Sequence, residues 1–174
     1  IKNPVVAGMT GNFTVQTQNA SEAVIDEGTS ATGINISSGL LTSVGVTRSN
    51  TTAGNSTGTT TISFTTTNAV PASGDIRIVF PAGFDVAAAA SPTSTIIGGA
   101  ETIPAGGIDT VNRTVDINIA NALSAGTVVN DLVLSGIKNP VVAGMTGNFT
   151  VQTHNASDIV IDDGTSASGI NISS

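Results

Sequence analysis

The stretch IKNPVVAGMTGNFTVQT begins at Ile1 and recurs at Ile137. Residues 1–38 and 137–174 align without gaps at an offset of 136. They differ at five positions: Gln18/His154, Glu22/Asp158, Ala23/Ile159, Glu27/Asp163 and Thr32/Ser168. A long repeat at a fixed offset makes the repeat, rather than the whole chain, the unit of folding. The sequence therefore predicts a tandem repeat with a period of about 136 residues.

This period divides the chain into two parts. Residues 39–174 span one complete unit, which at this length buries roughly two thirds of its unfolded surface and can have its own core. Residues 1–38 correspond to the C-terminal part of a preceding repeat, and segments below about 40 residues usually need a partner or a staple. We therefore expect a window from a longer periodic chain, in which residues 1–38 dock on a neighbouring module.

The composition narrows the class of protein. Charged residues make up 10% of the chain, the net charge is −7, and Trp, Tyr and Cys are absent. Without a basic stripe the chain is not expected to bind nucleic acid, because binding to phosphates depends on clustered Lys and Arg. Without cysteines it has no disulfides or thiolate chemistry, which is still compatible with an extracellular location in a microbe. No apolar run approaches the roughly 20 residues of a membrane span, so we expect no membrane insertion by this segment.

Apolar residues alternate with polar ones in many short segments, a pattern typical of half-buried strands. The positions expected to face the core are Ile62, Phe64, Ile76, Ile78, Phe80, Val115, Ile117, Ile119, Leu132, Leu134, Phe149 and Val151. Later strands are expected around Ile159 and Ile161 and in GINIS, at Ile170 and Ile172. Turn signals separate the strands in VPASGD, FPAGF, IPAGG, LSAG and DDGTS. DVAAAAS at residues 85–91 is left open between a helical turn and irregular structure. The pattern predicts an all-β fold, an antiparallel immunoglobulin-like β-sandwich.

Two internal stretches resemble each other and a known family. FTTTNAVPASGDIRIVFPAGF at residues 64–84 and INIANALSAGTVVNDLVLSGI at residues 117–137 each contain a strand, an Asn-Ala segment, a glycine turn and a second strand. With NPVVAGMTGNFTVQT they resemble the immunoglobulin-like modules repeated along very large prokaryotic surface proteins, including adhesins and filament proteins. The resemblance covers most of residues 59–153. It implies a sandwich on a cell surface or in an extracellular fibre, and it implies no activity.

The Asn-x-Ser/Thr pattern is the most frequent local motif. It occurs at Asn12, Asn19, Asn35, Asn50, Asn55, Asn112, Asn148, Asn155 and Asn171. Acceptor asparagines must be exposed. Asn148 and Asn171 alternate with apolar residues in their strands, so both are expected to face away from the core. The sequence thus predicts N-glycosylation, and the alternative is a Thr/Ser/Asn-rich surface that generates the motif by chance.

Candidates for catalysis or metal binding are few. His154 is the single histidine, and Gln18 replaces it in the first copy, which excludes a proton-transfer role common to all repeats. Asp162 and Asp163 are weak calcium candidates, because calcium takes six to eight oxygens and no dense acidic run is present. A solvated acidic turn is the expected alternative. Some immunoglobulin-like modules cross-link Lys to Asn, but Lys2 and Lys138 are expected to be exposed residues that protect a sheet edge.

These observations favour a structural function. We expect a repeat module of an extracellular or cell-surface filament or stalk, acidic and N-glycosylated, without catalysis. Its partners would be copies of itself in a linear array, linked head to tail by strand sharing, and it would need no cofactor beyond covalent glycan. The alternative is an adhesin repeat that binds a glycan or host protein through its end loops. The lack of Trp and Tyr for sugar stacking argues against that alternative.

Overall fold

The computed structural model describes residues 1–99 and 101–174. In these residues the chain is all-β, and no helix there is long and apolar enough to cross a membrane. The strands are β1 (Gly8–Met9), β2 (Thr14–Gln18), β3 (Val24–Thr29), β4 (Asn35–Ile36), β5 (Gly39–Leu40), β6 (Thr42–Arg48), β7 (Thr60–Thr65), β8 (Asp75–Val79), β9 (Ala90–Thr93), β10 (Ile108–Asp109), β11 (Thr114–Asn118), β12 (Val128–Ser135), β13 (Gly144–Met145), β14 (Thr150–His154), β15 (Val160–Thr165) and β16 (Asn171–Ile172).

Two larger sheets form a sandwich-like body. One has the order β10-β11-β8-β14-β15-β5, and the other has the order β6-β7-β12-β9. Three small sheets pair β1 with β4, β2 with β3, and β13 with β16. The ladders between these strands are antiparallel except for β15 and β5, where Asp162 and Asp163 pair in parallel with Gly39 and Leu40. No hairpin connects β5 to β15, so the direction of this edge strand is not fixed by a tight turn.

The inward-facing residues of both larger sheets meet in one hydrophobic core. All twelve positions that alternation assigns to the core are at most 1% exposed, which confirms the predicted strand register. Three rings cluster at its centre: the Phe80 and Phe84 ring centroids lie 5.6 Å and 5.4 Å from that of Phe149. Arg77 has the opposite parity and lies on the outer face, where it pairs with Asp116 at 2.7 Å.

Four predicted turns occur where Pro and Gly place them, in VPASGD, FPAGF, IPAGG and LSAG. In the first, Ser73 adopts a φ of 63°, and Gly74 follows it. A Cβ on Gly74 would lie 2.5 Å from the carbonyl oxygen of His154. Only glycine therefore lets this turn approach β14 so closely.

Two local expectations are wrong, and the structure decides one segment that the sequence leaves open. DDGTS is not a solvated turn, because Asp162 is buried and the segment continues β15. The turn comes earlier, where the Asn155 side-chain oxygen accepts the amides of Ser157 and Ile159. A bulge in the β14–β15 ladder follows this turn, and Ile159 is exposed rather than inward-facing. DVAAAAS holds a hydrogen-bonded turn before β9 rather than a helical turn.

Candidate functional site: two copies of one strand pair

The C-terminal copy, residues 137–174, is built into the sandwich. Its strand β14 pairs with β8 on one side, with Thr150 opposite Val79 and Val151 opposite Ile78. On the other side β14 pairs with β15 of the same copy. Strand β14 is therefore an inner strand of the six-stranded sheet. We call the part of residues 39–136 that covers this copy the acceptor surface.

The N-terminal copy, residues 1–38, has the same local structure. Strands β2 and β3 pair in the register of β14 and β15, and the bulge falls at the equivalent position. Strands β1 and β4 likewise match β13 and β16. The equivalent turn residues also share a left-handed backbone conformation, with φ of 61° at Glu22 and 59° at Asp158. The repeated sequence therefore folds into the same strands twice.

The two copies differ in what covers them. Phe13, Val15 and Ile25 are 49%, 70% and 63% exposed, whereas each equivalent residue of the C-terminal copy is fully buried: Phe149, Val151 and Ile161. An open groove of about 480 Å³ runs along the N-terminal copy between Pro4, Phe13 and Ile36. At the same three positions the C-terminal copy is buried. The N-terminal copy thus presents an apolar face without an acceptor surface.

A buried arginine fixes the start of the C-terminal copy. Arg48 donates from Nε to Asn139 Oδ1 at 3.0 Å, from Nη1 to Thr60 Oγ1 at 2.8 Å, and from Nη2 to the Ile137 carbonyl oxygen at 2.8 Å. Asn139 in turn donates to two carbonyl oxygens of the loop after β6. Burial lowers the pKa of Arg48. Its charge is compensated by oriented oxygen atoms rather than by a carboxylate.

Sequence reasoning missed this arginine and its partner. The sequence predicts exposed side chains for Lys2 and Lys138, in the same segments, and both are exposed. The buried polar side chain is the neighbouring Asn139. No local pattern distinguishes Arg48 from the other basic residues, because two of its three partners, Ile137 and Asn139, are about 90 residues away along the chain.

A buried carboxylate fixes the middle of the C-terminal copy. Asp162 Oδ2 accepts the backbone amides of Thr67 at 3.0 Å and Asn68 at 2.9 Å, and Oδ1 accepts the Asn68 side chain at 2.8 Å. Because N–H donors surround this carboxylate, it faces positive dipoles where calcium would need further oxygen ligands. Asp162 therefore holds β15 to the acceptor surface. The equivalent Asp26 is exposed.

A charged network joins the β14–β15 turn to β8. His154 Nδ1 lies 2.7 Å from Asp158 Oδ1 and 3.4 Å from Asp75 Oδ1. Arg77 bridges Asp158 at 3.0 Å and Asp116 at 2.7 Å. Burial raises the pKa of the Asp75 carboxyl, whereas the hydrogen bond from His154 lowers the pKa of Asp158. The network lies across the contact between the C-terminal copy and the acceptor surface.

Three members of this network have the geometry of a possible metal site. The ligand atoms of Asp75, His154 and Asp158 lie within 4.8 Å of one another. However, Asp158 Oδ1 also lies 3.0 Å from the Arg77 guanidinium, whose positive charge disfavours a second cation there. The group therefore acts as an ion-pair network that orients the turn.

The nine sequon asparagines lie at or near the surface. Six are exposed and three are partly buried; the exposed ones are Asn12, Asn19, Asn35, Asn112, Asn148 and Asn171. Asn148 and Asn171 face away from the core, as alternation predicts. In the turns at Asn19, Asn50, Asn55 and Asn155 the side-chain oxygen accepts a backbone amide two residues ahead, so the nitrogen to which glycan attaches is not used in that bond. At Asn112 that nitrogen donates to Asp109 at 2.6 Å.

The copies also differ in the segment that precedes their first strand. In the N-terminal copy, Ala7 donates its amide to the Val160 carbonyl oxygen at 3.0 Å, and Val6 packs against the hydrophobic core. In the C-terminal copy, the equivalent Val142 and Ala143 are exposed. Each copy therefore has the contact that the other lacks.

Comparison of the chain with protein-family models, curated proteins and solved structures gave no match.

Proposed function

We propose that this chain is a structural repeat module of an extracellular filament or cell-surface stalk, with successive repeats linked head to tail by strand sharing. The observation that carries the proposal is the pair of copies: one strand set occurs once covered by an acceptor surface and once uncovered. The resemblance to immunoglobulin-like modules of large prokaryotic surface proteins points the same way. The proposed role is mechanical and not catalytic.

The uncovered copy supplies a driving force for linkage. Burying a large apolar side chain such as Phe13, Val15 or Ile25 stabilises by about 1.5 to 3 kcal/mol each. An isolated two-stranded ribbon is marginally stable at best in water. Contact with the acceptor surface of a neighbouring repeat therefore lowers the free energy of the N-terminal copy.

The arrangement also suits resistance to extension. Each module would contribute a fixed length, set by its packed core. Within the module, β14 is hydrogen-bonded along both edges, to β8 and to β15. Withdrawing the C-terminal copy would therefore break the β8–β14 ladder together with the buried contacts of Arg48 and Asp162.

We propose N-linked glycosylation of the exposed sequons as part of the same function. Glycans on the outer face of the sheet would prevent side-by-side pairing of sheet edges between fibres. Asn148 and Asn171 are the positions best placed to carry glycan, because both are exposed beside buried neighbours. Intact-mass spectrometry of native material before and after deglycosylation tests this. A native mass equal to that of the bare polypeptide would contradict it.

Negative-stain electron microscopy of the native assembly tests the filament itself. We expect long fibres of uniform diameter with a regular axial repeat. Isolated stalks that end in a distinct head would favour the adhesin alternative. Dispersed single modules would contradict both.

A further inference from the structure

We infer that residues 1–38 occupy, on the acceptor surface of a second copy of this repeat, the position that residues 137–174 occupy in this chain. This inference rests on the strand sharing proposed above and assigns its contacts residue by residue. The covered C-terminal copy supplies the geometry, because it has nearly the same sequence and the same strand pairing.

The acceptor surface of the same molecule is not accessible to the N-terminal copy. It already holds the C-terminal copy, which ends beside Thr52, where Ser173 accepts the amide of Ala53 at 2.8 Å. The N-terminal copy is followed directly by Gly39, which pairs with Asp162. Strand β6 separates Gly39 from Thr52, and its seven residues span roughly 20 Å. One chain therefore cannot place its own residues 1–38 there without breaking the connection to β5.

The backbone register follows from the covered copy. Strand β2 would pair with β8 of the second molecule, with Thr14 opposite Val79 and Val15 opposite Ile78, as Thr150 and Val151 do here. Phe13 would take the place of Phe149, whose ring lies 5.6 Å from Phe80 and 5.4 Å from Phe84. The exposed apolar face of β2 would then become part of a core.

Polar contacts define the same position. Asp26 would accept the amides of Thr67 and Asn68 of the second molecule, as Asp162 does within this chain. Asn3 would accept from the Arg48 guanidinium, as Asn139 does. These buried donors favour the one register that satisfies them, because a buried unpaired donor is costly.

The five sequence differences between the copies are compatible with this exchange. Four of the C-terminal residues lie outside the buried core: Asp158, Ile159, Asp163 and Ser168. The fifth, His154, is buried, and Gln18 can place an amide donor beside Asp75 in its stead. Glu22 keeps the negative charge that Asp158 presents to Arg77. The acceptor surface can therefore take either copy.

The test uses the full chain with an engineered disulfide, since the native sequence has no cysteine. Phe149→Asp weakens the chain's own C-terminal copy and frees the acceptor surface. Thr14→Cys and Val79→Cys then place two thiols opposite each other across the inferred β2–β8 contact, at a separation that a disulfide can bridge. After refolding and mild oxidation of this triple variant, we expect a ladder at multiples of 17.1 kDa on a non-reducing gel.

Two controls make the result specific. Thr150→Cys with Val79→Cys, without Phe149→Asp, should close a disulfide within one chain. Adding Phe13→Asp to the triple variant should abolish the ladder, because both copies are then disabled. If the triple variant forms no intermolecular disulfide, or if the ladder persists with Phe13→Asp, the inference is wrong. Microscopy of native fibres does not depend on this register, so it separates a wrong contact from a wrong function.

Discussion

Residues 1–38 and 137–174 have nearly one sequence and one local structure but opposite burial. The local structure that the two copies share depends on contacts within each copy. A Cβ on Gly33 would clash with the Thr10 carbonyl oxygen, and a Cβ on Gly169 would clash with that of Thr146 in the same way. The difference in burial depends on contacts with the rest of the chain. Nothing lies within 4 Å of a Cβ on Gly28, whereas a Cβ on Gly164 would lie 2.7 Å from Leu41 Cβ. Strand pairing is therefore set by residues within each copy, whereas burial is set by the segments that pack against the copy.

Truncation of the paired phenylalanines should give the largest difference in stability between the two copies. Phe149→Ala should reduce the free energy of unfolding by about 3 to 5 kcal/mol, because it leaves a cavity in the ring cluster. Phe13→Ala should change the stability of the isolated chain by less than about 0.5 kcal/mol, since Phe13 is half exposed. Arg77→Ala, on the outer face of β8, should cost far less than Phe149→Ala. Chemical denaturation measures all three, and equal losses for Phe149 and Arg77 would contradict the strand register.

The paired aspartates should give the next largest difference. Asp162→Ala removes the acceptor of two backbone amides and one side-chain amide, so we expect a loss of about 3 kcal/mol. Asp26→Ala, at the exposed equivalent, should leave the stability of the isolated chain unchanged within error. The measurement is again the free energy of unfolding. A large effect of Asp26→Ala would show that the N-terminal copy is already covered in solution.

The paired glycines give a smaller and purely steric difference. Gly164→Ala should cost about 1 to 3 kcal/mol, because its methyl group would overlap Leu41 and Val44. Gly28→Ala should be near neutral in the isolated chain, where that space is open. In assembled fibres Gly28→Ala should weaken linkage, because the same methyl would meet the acceptor surface of the second molecule. Thermal denaturation gives the first comparison and sedimentation of assembled material gives the second.

The smallest difference concerns the turn carboxylates and depends on pH. The pKa of Asp158 is lowered, first by its hydrogen bond from His154 and then by Arg77. A lowered pKa in the folded state stabilises above the unfolded value and is lost as pH falls through the folded value. Asp158→Asn should therefore cost about 0.5 kcal/mol or less at pH 7, since the side chain is 63% exposed. The cost should vanish in strong acid, and Glu22→Gln is the matched control.

Alternation along the chain was enough to predict most of the fold. It assigned the twelve core positions, the outer parity of Arg77 and four turns, because these depend on periods of two and on Pro and Gly. It failed around Ile159 and Asp162. There, a turn stabilised by the Asn155 side chain and a bulge shift the alternation of inward and outward residues. The groups that donate hydrogen bonds to Asp162 belong to a loop more than 90 residues earlier.

The repeat, the strands of each copy and the surface position of Asn148 and Asn171 all follow from the amino-acid sequence, because side-chain alternation and turn chemistry act over a few residues. Which copy is covered, and the role of Arg48 and Asp162 in holding it, follow from the folded chain. Burial and the pairing of buried charges depend on residues about 90 positions apart, which the fold brings within 3 Å.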